Sequence, residues 1–132
     1  RTFKRTKKAV TVKVLSDKRQ CLTTDEQYLF NRPLKRCRVR EVYLCIDDQP
    51  VVFARSVLPS TSCTGINREI LKIGNKPLGE ILFKRGAAPI LSRQITKIPS
   101  LGYGRRSLYL FRGHPILVTE VFLPELINKI IH

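Results

Sequence analysis

The sequence predicts an α+β fold in which an antiparallel sheet carries short helices on one face. Its 132 residues match the usual size of one domain, and the hydrophobic (42%) and charged (27%) fractions are those of a globular protein. Strand-like patterns come first along the chain, two short helical patterns follow, and strand patterns then return. This order is typical of an α+β layer arrangement. We therefore expect residues 1–132 to form a single domain.

The first half of the chain predicts one strand and one hairpin. Ala9 to Leu15 is rich in β-branched residues and predicts a strand that ends at Ser16-Asp17. Residues 18–36 show no clean period, which predicts a loop or a short edge strand. Residues 38–58 alternate on both sides of a polar turn, Asp47-Asp48-Gln49-Pro50, and predict a hairpin.

The second half predicts two short helices and more strands. Apolar residues from Ile66 to Ile73 have helical spacing that ends at Gly74. Residues 77–83 begin with a proline, which suits the first position of a second helix. Residues 90–98 predict a strand, and residues 104–123 predict a second hairpin that turns around Arg112-Gly113-His114-Pro115.

The chain is strongly basic, with 25 Lys and Arg against 10 Asp and Glu, a net charge of +15. Such a charge predicts attraction to polyanions such as nucleic acid. The basic segment Arg1–Lys8 is either a solvated charge run or an arm that follows phosphates. Aromatic residues, however, lie among apolar strand residues, as Phe53, Phe83 and Phe122 do, and are not interleaved with basic ones as stacking on bases requires. We do not expect a nucleic-acid partner.

Cysteine and histidine patterns give no sign of a metal site. The four cysteines, Cys21, Cys37, Cys45 and Cys63, form no CxxC pair, and we expect them to be reduced core residues in a cytoplasmic protein. His114 falls in a predicted turn and His132 is terminal, so neither is expected to act as a ligand or a base. The longest apolar run, Val42–Ile46, is too short to cross a membrane.

Three charged residues, Arg40, Arg55 and Glu120, lie on predicted strands. In each strand, apolar residues stand an even number of positions away and therefore point to the same side. A charged residue in such a pattern is usually exposed or paired. Taken together, however, the three suit a compact dianion. Two guanidinium groups can each bind a carboxylate through paired N–H donors, and a carboxylate can bind a hydroxyl or accept a proton.

Five segments in register resemble the chorismate lyase family, also called chorismate pyruvate-lyases. The segments are Arg40-Glu41-Val42-Tyr43-Leu44-Cys45, Ala54-Arg55-Ser56-Val57-Leu58-Pro59, Lys76-Pro77-Leu78-Gly79-Glu80-Ile81-Leu82-Phe83, Gly104-Arg105-Arg106-Ser107 and Leu117-Val118-Thr119-Glu120-Val121-Phe122-Leu123-Pro124. The resemblance covers residues 38–125 well and residues 9–37 weakly. It implies a six-stranded antiparallel sheet with the ligand buried beneath helical flaps.

The resemblance also implies a function and a set of site residues. The implied function is the conversion of chorismate to 4-hydroxybenzoate and pyruvate without metal or cofactor. This reaction is the step that leads into ubiquinone biosynthesis. Arg40 is implied to bind the ring carboxylate, together with the backbone amide of Leu78. Arg55 is implied to face the enolpyruvyl carboxylate. Glu120 is implied to meet the ring hydroxyl, either as a base or as a hydrogen-bond partner.

Several alternatives remain open from the sequence. Members of the family resemble one another in having an N-terminal helix and a short segment before the first strand. We expect this chain to begin about where that segment ends. Gly104-Arg105-Arg106 is either a turn whose arginines cover the sheet or a second anion contact. We expect a monomer. The competing functions are a non-catalytic small-molecule-binding domain of the same fold from transcription regulators, and a basic nucleic-acid-binding protein; Arg40, Arg55 and Glu120 together favour the lyase.

Overall fold

Six antiparallel strands form one sheet in the computed structural model, which describes residues 10–30, 34, 36–59, 74, 78, 82, 89–98 and 102–125. The strands are β1 (Val10–Cys21), β2 (Arg36–Ile46), β3 (Gln49–Leu58), β4 (Ile90–Ile98), β5 (Gly102–Phe111) and β6 (His114–Phe122), and a short helix, α1 (Thr24–Phe30), follows β1. Their order across the sheet is β1-β2-β3-β6-β5-β4. The antiparallel six-stranded sheet implied by the family resemblance is therefore confirmed.

Both predicted hairpins are present, and each closes through a two-residue turn. Asp47 and Asp48 connect β2 to β3 with φ angles of 51° and 67°, and Arg112 and Gly113 connect β5 to β6 with φ angles of 50° and 85°. Two consecutive positive φ angles are the mark of the turn that best matches the twist of a hairpin. Aspartate tolerates this left-handed conformation better than most residues, which explains a turn without glycine between β2 and β3.

The first strand is longer than predicted. Instead of ending at Ser16-Asp17, β1 continues to Cys21 and stays paired with β2, with a bulge between Val14 and Ser16. Its second half is polar and exposed because β1 is the outermost strand, where only backbone hydrogen bonds to β2 are needed. The bulge re-aims the following side chains, as such irregularities do.

Helix α1 lies within residues 18–36, where a loop or a short edge strand was predicted. The prediction is confirmed for residues 18–21, which belong to the edge strand β1, and it is wrong over the helix. Thr23 caps the helix: its Oγ1 accepts the Glu26 N–H at 3.2 Å, and its own N–H donates to Glu26 Oε1 at 2.9 Å. This reciprocal pair is a capping box, and its Thr-x-x-Glu signature stands in the sequence. The helix is too short to produce a visible hydrophobic period.

Side chains of the sheet divide between two faces, because paired residues share a face and successive residues alternate. The helix face carries α1 and a core cluster of Leu22, Phe30, Cys37, Val39, Val57 and Leu117. The opposite face, here the Arg40 face, carries Arg40 and a cluster of Leu58, Leu82, Tyr109, Phe111, Ile116 and Val118. The inner strands of the sheet are thus buried on both sides, whereas the outer strands β1 and β4 are mostly exposed.

Helical residues are found on both faces within the described part of the chain. Leu78 and Leu82 have helical backbone and pack on the Arg40-face cluster, whereas α1 packs on the other side. The predicted helix over residues 66–73 lies outside the described residues, as do most residues of the one predicted over 77–83.

The cysteines behave differently from one another. Cys37 and Cys45 are buried and form no disulfide, as predicted. Cys21 also forms none, but it is exposed at the end of β1, so its predicted placement in the core is wrong. Cys63 lies outside the described residues. Among the helices that the structure describes, none has the length and apolar character needed to cross a membrane.

The turn between β2 and β3 gives a stability prediction. Replacing Asp48 by Gly removes the cost of a left-handed L-residue at φ 67°, and we expect a gain of about 0.5–1 kcal/mol in the free energy of unfolding. Asp48→Val, with a branched Cβ at the same φ, should cost about 1 kcal/mol or more. Urea unfolding measures both. A stabilising Asp48→Val or a destabilising Asp48→Gly would contradict the assigned turn.

Candidate functional site

Arg40 is a buried cation on the central part of the sheet. Its side chain is only 3% exposed, and its register partners on β1 and β3 are Asp17 and Ser56. Nη1 donates to the carbonyl oxygen of Gly74 at 2.7 Å and lies 3.7 Å from Asp17 Oδ2. Gly74 itself has a φ of 58°, a conformation that favours glycine.

Asp17 is a residue that the sequence interpretation missed. The continuation of β1 past the bulge brings it opposite Arg40. Its two oxygens accept from Arg38 Nε at 2.7 Å and Arg38 Nη2 at 2.6 Å. The bidentate pair fixes the carboxylate, so that its negative charge is held beside Arg40 at a longer distance. The signal for Asp17 in the sequence was an acidic residue among the basic residues of β1. It can be recognised only when β1 is known to continue past Ser16.

The environment of Arg40 disfavours its charge. Burial lowers the pKa of the Arg40 guanidinium, Asp17 partly offsets this by attraction, and neighbouring Arg38 adds repulsion. An arginine remains protonated at physiological pH in any case. Arg40 is therefore a buried cation, and an anion placed beside it would be attracted more strongly than in water.

Glu120 lies on the same face as Arg40. It pairs with Ala54 on β3 and with Arg105 on β5, and Ala54 is two residues from Ser56, the neighbour of Arg40. Arg40 and Glu120 are therefore separated by two strand spacings, about 10 Å, and by two residues along the strands, about 7 Å. The side chains between them on β3, Ala54 and Ser56, are small and buried. The floor between the cation and the carboxylate is therefore flat.

An apolar wall stands beside this floor. Leu58, Tyr109, Ile116 and Val118 are buried on the same face, and Leu82 and Leu78 pack onto them from the segment beyond Gly74. A cation at one end, a carboxylate at the other and apolar side chains beside them suit a flat, apolar ligand with an anionic group and a hydroxyl. Leu78, predicted as a backbone donor, thus lies on the side of the sheet where Arg40 and Glu120 lie.

Arg55 lies on the other side of the sheet. Its register partners are Glu41 and Thr119, both on the helix face. Nε and Nη2 donate to the two oxygens of Glu26 at 2.7 and 3.0 Å, and Nη1 donates to Glu41 Oε2 at 2.8 Å. The structure therefore brings together Arg40, Glu120 and Leu78 on one face and does not bring Arg55 to them.

Glu26 is the carboxylate at the centre of the helix-face network. It is 1% exposed and binds both the α1 cap and Arg55. Burial tends to raise its pKa, but the hydrogen bonds from Arg55 and the Thr23 N–H, with the attraction of Arg55 and Arg106, leave the pKa of Glu26 below its usual value. The pKa of Arg55 is raised, first by its bond to Glu26 and then by Glu41, against a lowering by burial. The pair ties helix α1 to the sheet.

The motif Gly104-Arg105-Arg106 belongs to strand β5 and sends its two arginines to opposite faces. Arg105 donates from Nε to Glu120 Oε1 at 2.8 Å on the Arg40 face, whereas Arg106 donates to Thr119 Oγ1 at 3.2 Å on the helix face. Beside Arg106 is a cavity of about 290 Å³ lined by Asp25, Gln94, Thr96, Gly104, Arg105, Arg106 and Thr119. The motif is thus not a turn, and only Arg105 contacts a predicted site residue.

The family of the chain follows from comparison with known proteins. The model of the family described as chorismate lyase matches residues 1–131. The chain belongs to the chorismate lyase family. Among curated relatives of this family, it is 43% identical over 115 residues to a protein of Alcanivorax borkumensis named "Probable chorismate pyruvate-lyase", covering 80% of this chain and 55% of that protein. It is 36% identical over 118 residues to the chorismate pyruvate-lyase of Pectobacterium atrosepticum, covering 88% and 60%.

Two solved structures share the fold of this chorismate lyase family member at low sequence identity. A possible transcriptional regulator of Bacillus subtilis aligns with a TM-score of 0.63 at 15% identity, over 88% of this chain and 58% of that one. The ligand-binding domain of a protein assigned to the GntR family of regulators, from Bordetella bronchiseptica, aligns at 0.60 and 13%, over 89% and 84%. The chain spans less than two thirds of the length of the two curated relatives above.

The Glu26–Arg55 pair predicts a pH-dependent stability. Because the pKa of Glu26 is lowered on folding, the pair stabilises the protein above the usual carboxyl pKa near 4.5 and loses that contribution as the pH falls through the folded value. Glu26→Gln should therefore cost about 1–3 kcal/mol at pH 6 and progressively less toward pH 3.

Urea unfolding at several pH values measures this effect. The control is Asp25→Asn, at the exposed neighbouring position of the same helix turn, which should change stability by a few tenths of a kcal/mol at most, about the size of a surface charge effect. A cost of Glu26→Gln that does not change with pH would contradict the assigned pair.

Proposed function

We propose that the protein containing this chain converts chorismate to 4-hydroxybenzoate and pyruvate, and so acts in ubiquinone biosynthesis. The observation that carries the proposal is the position of Arg40 and Glu120 on one face of the sheet, across a floor of small side chains, in a chain of the chorismate lyase family. The relatives named above carry chorismate pyruvate-lyase in their names, which supports the same substrate.

In this proposal Arg40 binds the ring carboxylate of chorismate. Its guanidinium is buried, so an anion placed beside it is attracted in surroundings of low dielectric constant, where charges interact more strongly than in water. A bidentate contact would also fix the plane of the carboxylate and thus the ring. The Leu78 backbone amide is proposed as a further donor, since Leu78 packs on the cluster beside this face.

Glu120 is proposed to meet the hydroxyl that remains in 4-hydroxybenzoate. Its Oε1 is already bound by Arg105, so a ligand hydroxyl would approach Oε2. A carboxylate in this position can accept a hydrogen bond from the hydroxyl, or take the proton from the adjacent ring carbon. Either role places negative charge near the reacting edge of the ring.

The reaction needs positioning more than added chemistry. The C–H bond of the ring carbon that bears the hydroxyl breaks, its proton passes to Glu120 or to the departing enolpyruvate, and its electron pair completes an aromatic ring. The ether C–O bond also breaks, and enolpyruvate leaves and takes up a proton to become pyruvate. Because aromatisation supplies driving force, orientation of the ring and fixed charges account for catalysis in this proposal. We propose that the enzyme is a cofactor-free monomer acting in the cytoplasm, a reducing compartment that keeps thiols such as those of Cys37 and Cys45 reduced.

The role predicted for Arg55, facing the enolpyruvyl carboxylate, finds no support in the register. All three guanidinium nitrogens of Arg55 donate to Glu26 or Glu41 on the helix face. Moving Arg55 to the Arg40 face would require a one-residue slip of β3, which would also reverse every other side chain on that strand. We therefore propose that Arg55 supports the site by fixing the position of β2 and β3.

Arg40→Ala tests the site assignment. Removing a charge-assisted contact to a buried carboxylate costs roughly 1.5–3 kcal/mol, so the affinity for 4-hydroxybenzoate should fall by about one to two orders of magnitude. Calorimetric titration measures it. Arg106→Ala, which removes an arginine from the opposite face, is the matched control and should bind as the wild type does.

An unchanged affinity in a folded Arg40→Ala variant would contradict the assignment. Turnover of chorismate separates the lyase from the effector-binding domain whose fold it shares. Tight binding of 4-hydroxybenzoate with no turnover in the wild-type protein would favour the binding domain.

A further inference from the structure

Arg105 and Glu120 form a cross-strand ion pair on the Arg40 face. We propose that Arg105 is a positioning residue of the reaction, which holds the Glu120 carboxylate in the orientation that meets the ring hydroxyl. This inference rests on the proposed function, because it assigns Arg105 a task at the same site.

The pair is built by the register of β5 and β6. Arg105 and Glu120 are directly opposite each other, so their Cβ atoms are close neighbours on one face. Both Nε and Nη2 of Arg105 lie 2.8 Å from the same oxygen, Glu120 Oε1. Two donors on one carboxylate oxygen restrain the rotation of that carboxylate and direct Oε2 away from Arg105.

Arg105 is itself held from its other side. The centre of its guanidinium lies 5.4 Å from the centroid of the Phe122 ring, two residues along β6 from Glu120. A guanidinium over an aromatic face gains a cation–π interaction, and its planar shape loses less entropy on being fixed than a flexible ammonium does. Phe122 thus contacts the guanidinium of Arg105, and Arg105 in turn holds the Glu120 carboxylate through its N–H groups.

The effect of Arg105 is mainly one of orientation. Its side chain is 33% exposed, and charge–charge energy between partly exposed groups is small after solvent screening. The geometric restraint is not screened. A catalytic carboxylate displaced by as little as an ångström can lose about two orders of magnitude in rate. Losing Arg105 should therefore impair turnover more than it impairs the binding of substrate.

A double-mutant cycle distinguishes this role from direct contact between Arg105 and substrate. We would measure kcat and KM for chorismate in the wild type, Arg105→Ala, Glu120→Gln and the double variant. If Arg105 acts through Glu120, Arg105→Ala should lower kcat by about tenfold or more with a smaller change in KM. The double variant should then lie within about twofold of Glu120→Gln alone.

Two further variants keep the test independent of folding. Arg105→Lys keeps the charge but loses the paired donors, so it should recover only part of kcat. Arg106→Ala, on the opposite face of the same strand, should retain wild-type kinetics. Circular dichroism and thermal unfolding would establish that each variant is folded, and a 4-hydroxybenzoate titration of the same four proteins in the cycle should show the same lack of additivity.

Losses that add in the double variant would overturn the proposal, because they would mean that Arg105 contributes without Glu120. Wild-type kinetics in Arg105→Ala would overturn it as well. A wild-type protein that neither turns over chorismate nor binds 4-hydroxybenzoate would instead overturn the proposed function, so the two failures have different signatures.

Discussion

The register of β3 with β2 and β6 decides which β3 side chains lie between Arg40 and Glu120, and the candidate site depends on it. A slip of one residue would replace Ala54 and Ser56 on that face by their neighbours, Arg55 among them. In the observed register, Arg40 shares a face with Glu120 and Arg105, while Arg55 shares the other with Glu41 and Arg106. Apolar clusters on both faces favour this register, since a slip of β3 would exchange Val57 and Leu58 between the two clusters and move Arg55 away from Glu26 and Glu41. The two-residue turns at both hairpins reinforce it.

Arg40, which is buried, and Arg55, which is partly buried, have different surroundings. Arg55 binds two carboxylates, and its pKa is raised by them. Arg40 is more deeply buried, donates to a backbone carbonyl, and has a pKa lowered by burial. Arg55 thus donates to carboxylates of this chain, whereas Arg40 donates to a backbone carbonyl, which carries no net charge.

The sequence predicted those features that depend on local pattern. The hairpins, β4 and the apolar strands follow from alternation that is visible within each segment. The end of β1 was missed because an outer strand does not need apolar residues on either face. Helix α1 was missed because seven residues give no period, although Thr23 and Glu26 carried its capping signal.

Whether Arg40, Arg55 and Glu120 share a face of the sheet could not be predicted. The answer depends on the relative register of three strands, and the alternation within a single strand does not give that register. Arg105 stood out in the sequence only as one of two possible anion contacts, because the faces of Arg105 and Arg106 depend on the same register.

A crystal structure of the protein with 4-hydroxybenzoate tests the central claim most directly, because it shows which face of the sheet holds the ligand. The account predicts the ring over Ala54 and Ser56, with its carboxylate within hydrogen-bond distance of the Arg40 guanidinium and its hydroxyl beside Glu120. A ligand bound on the helix face would contradict it, whether the ligand lies against Arg106 in the cavity beside Asp25 or displaces the carboxylates that are bound to Arg55.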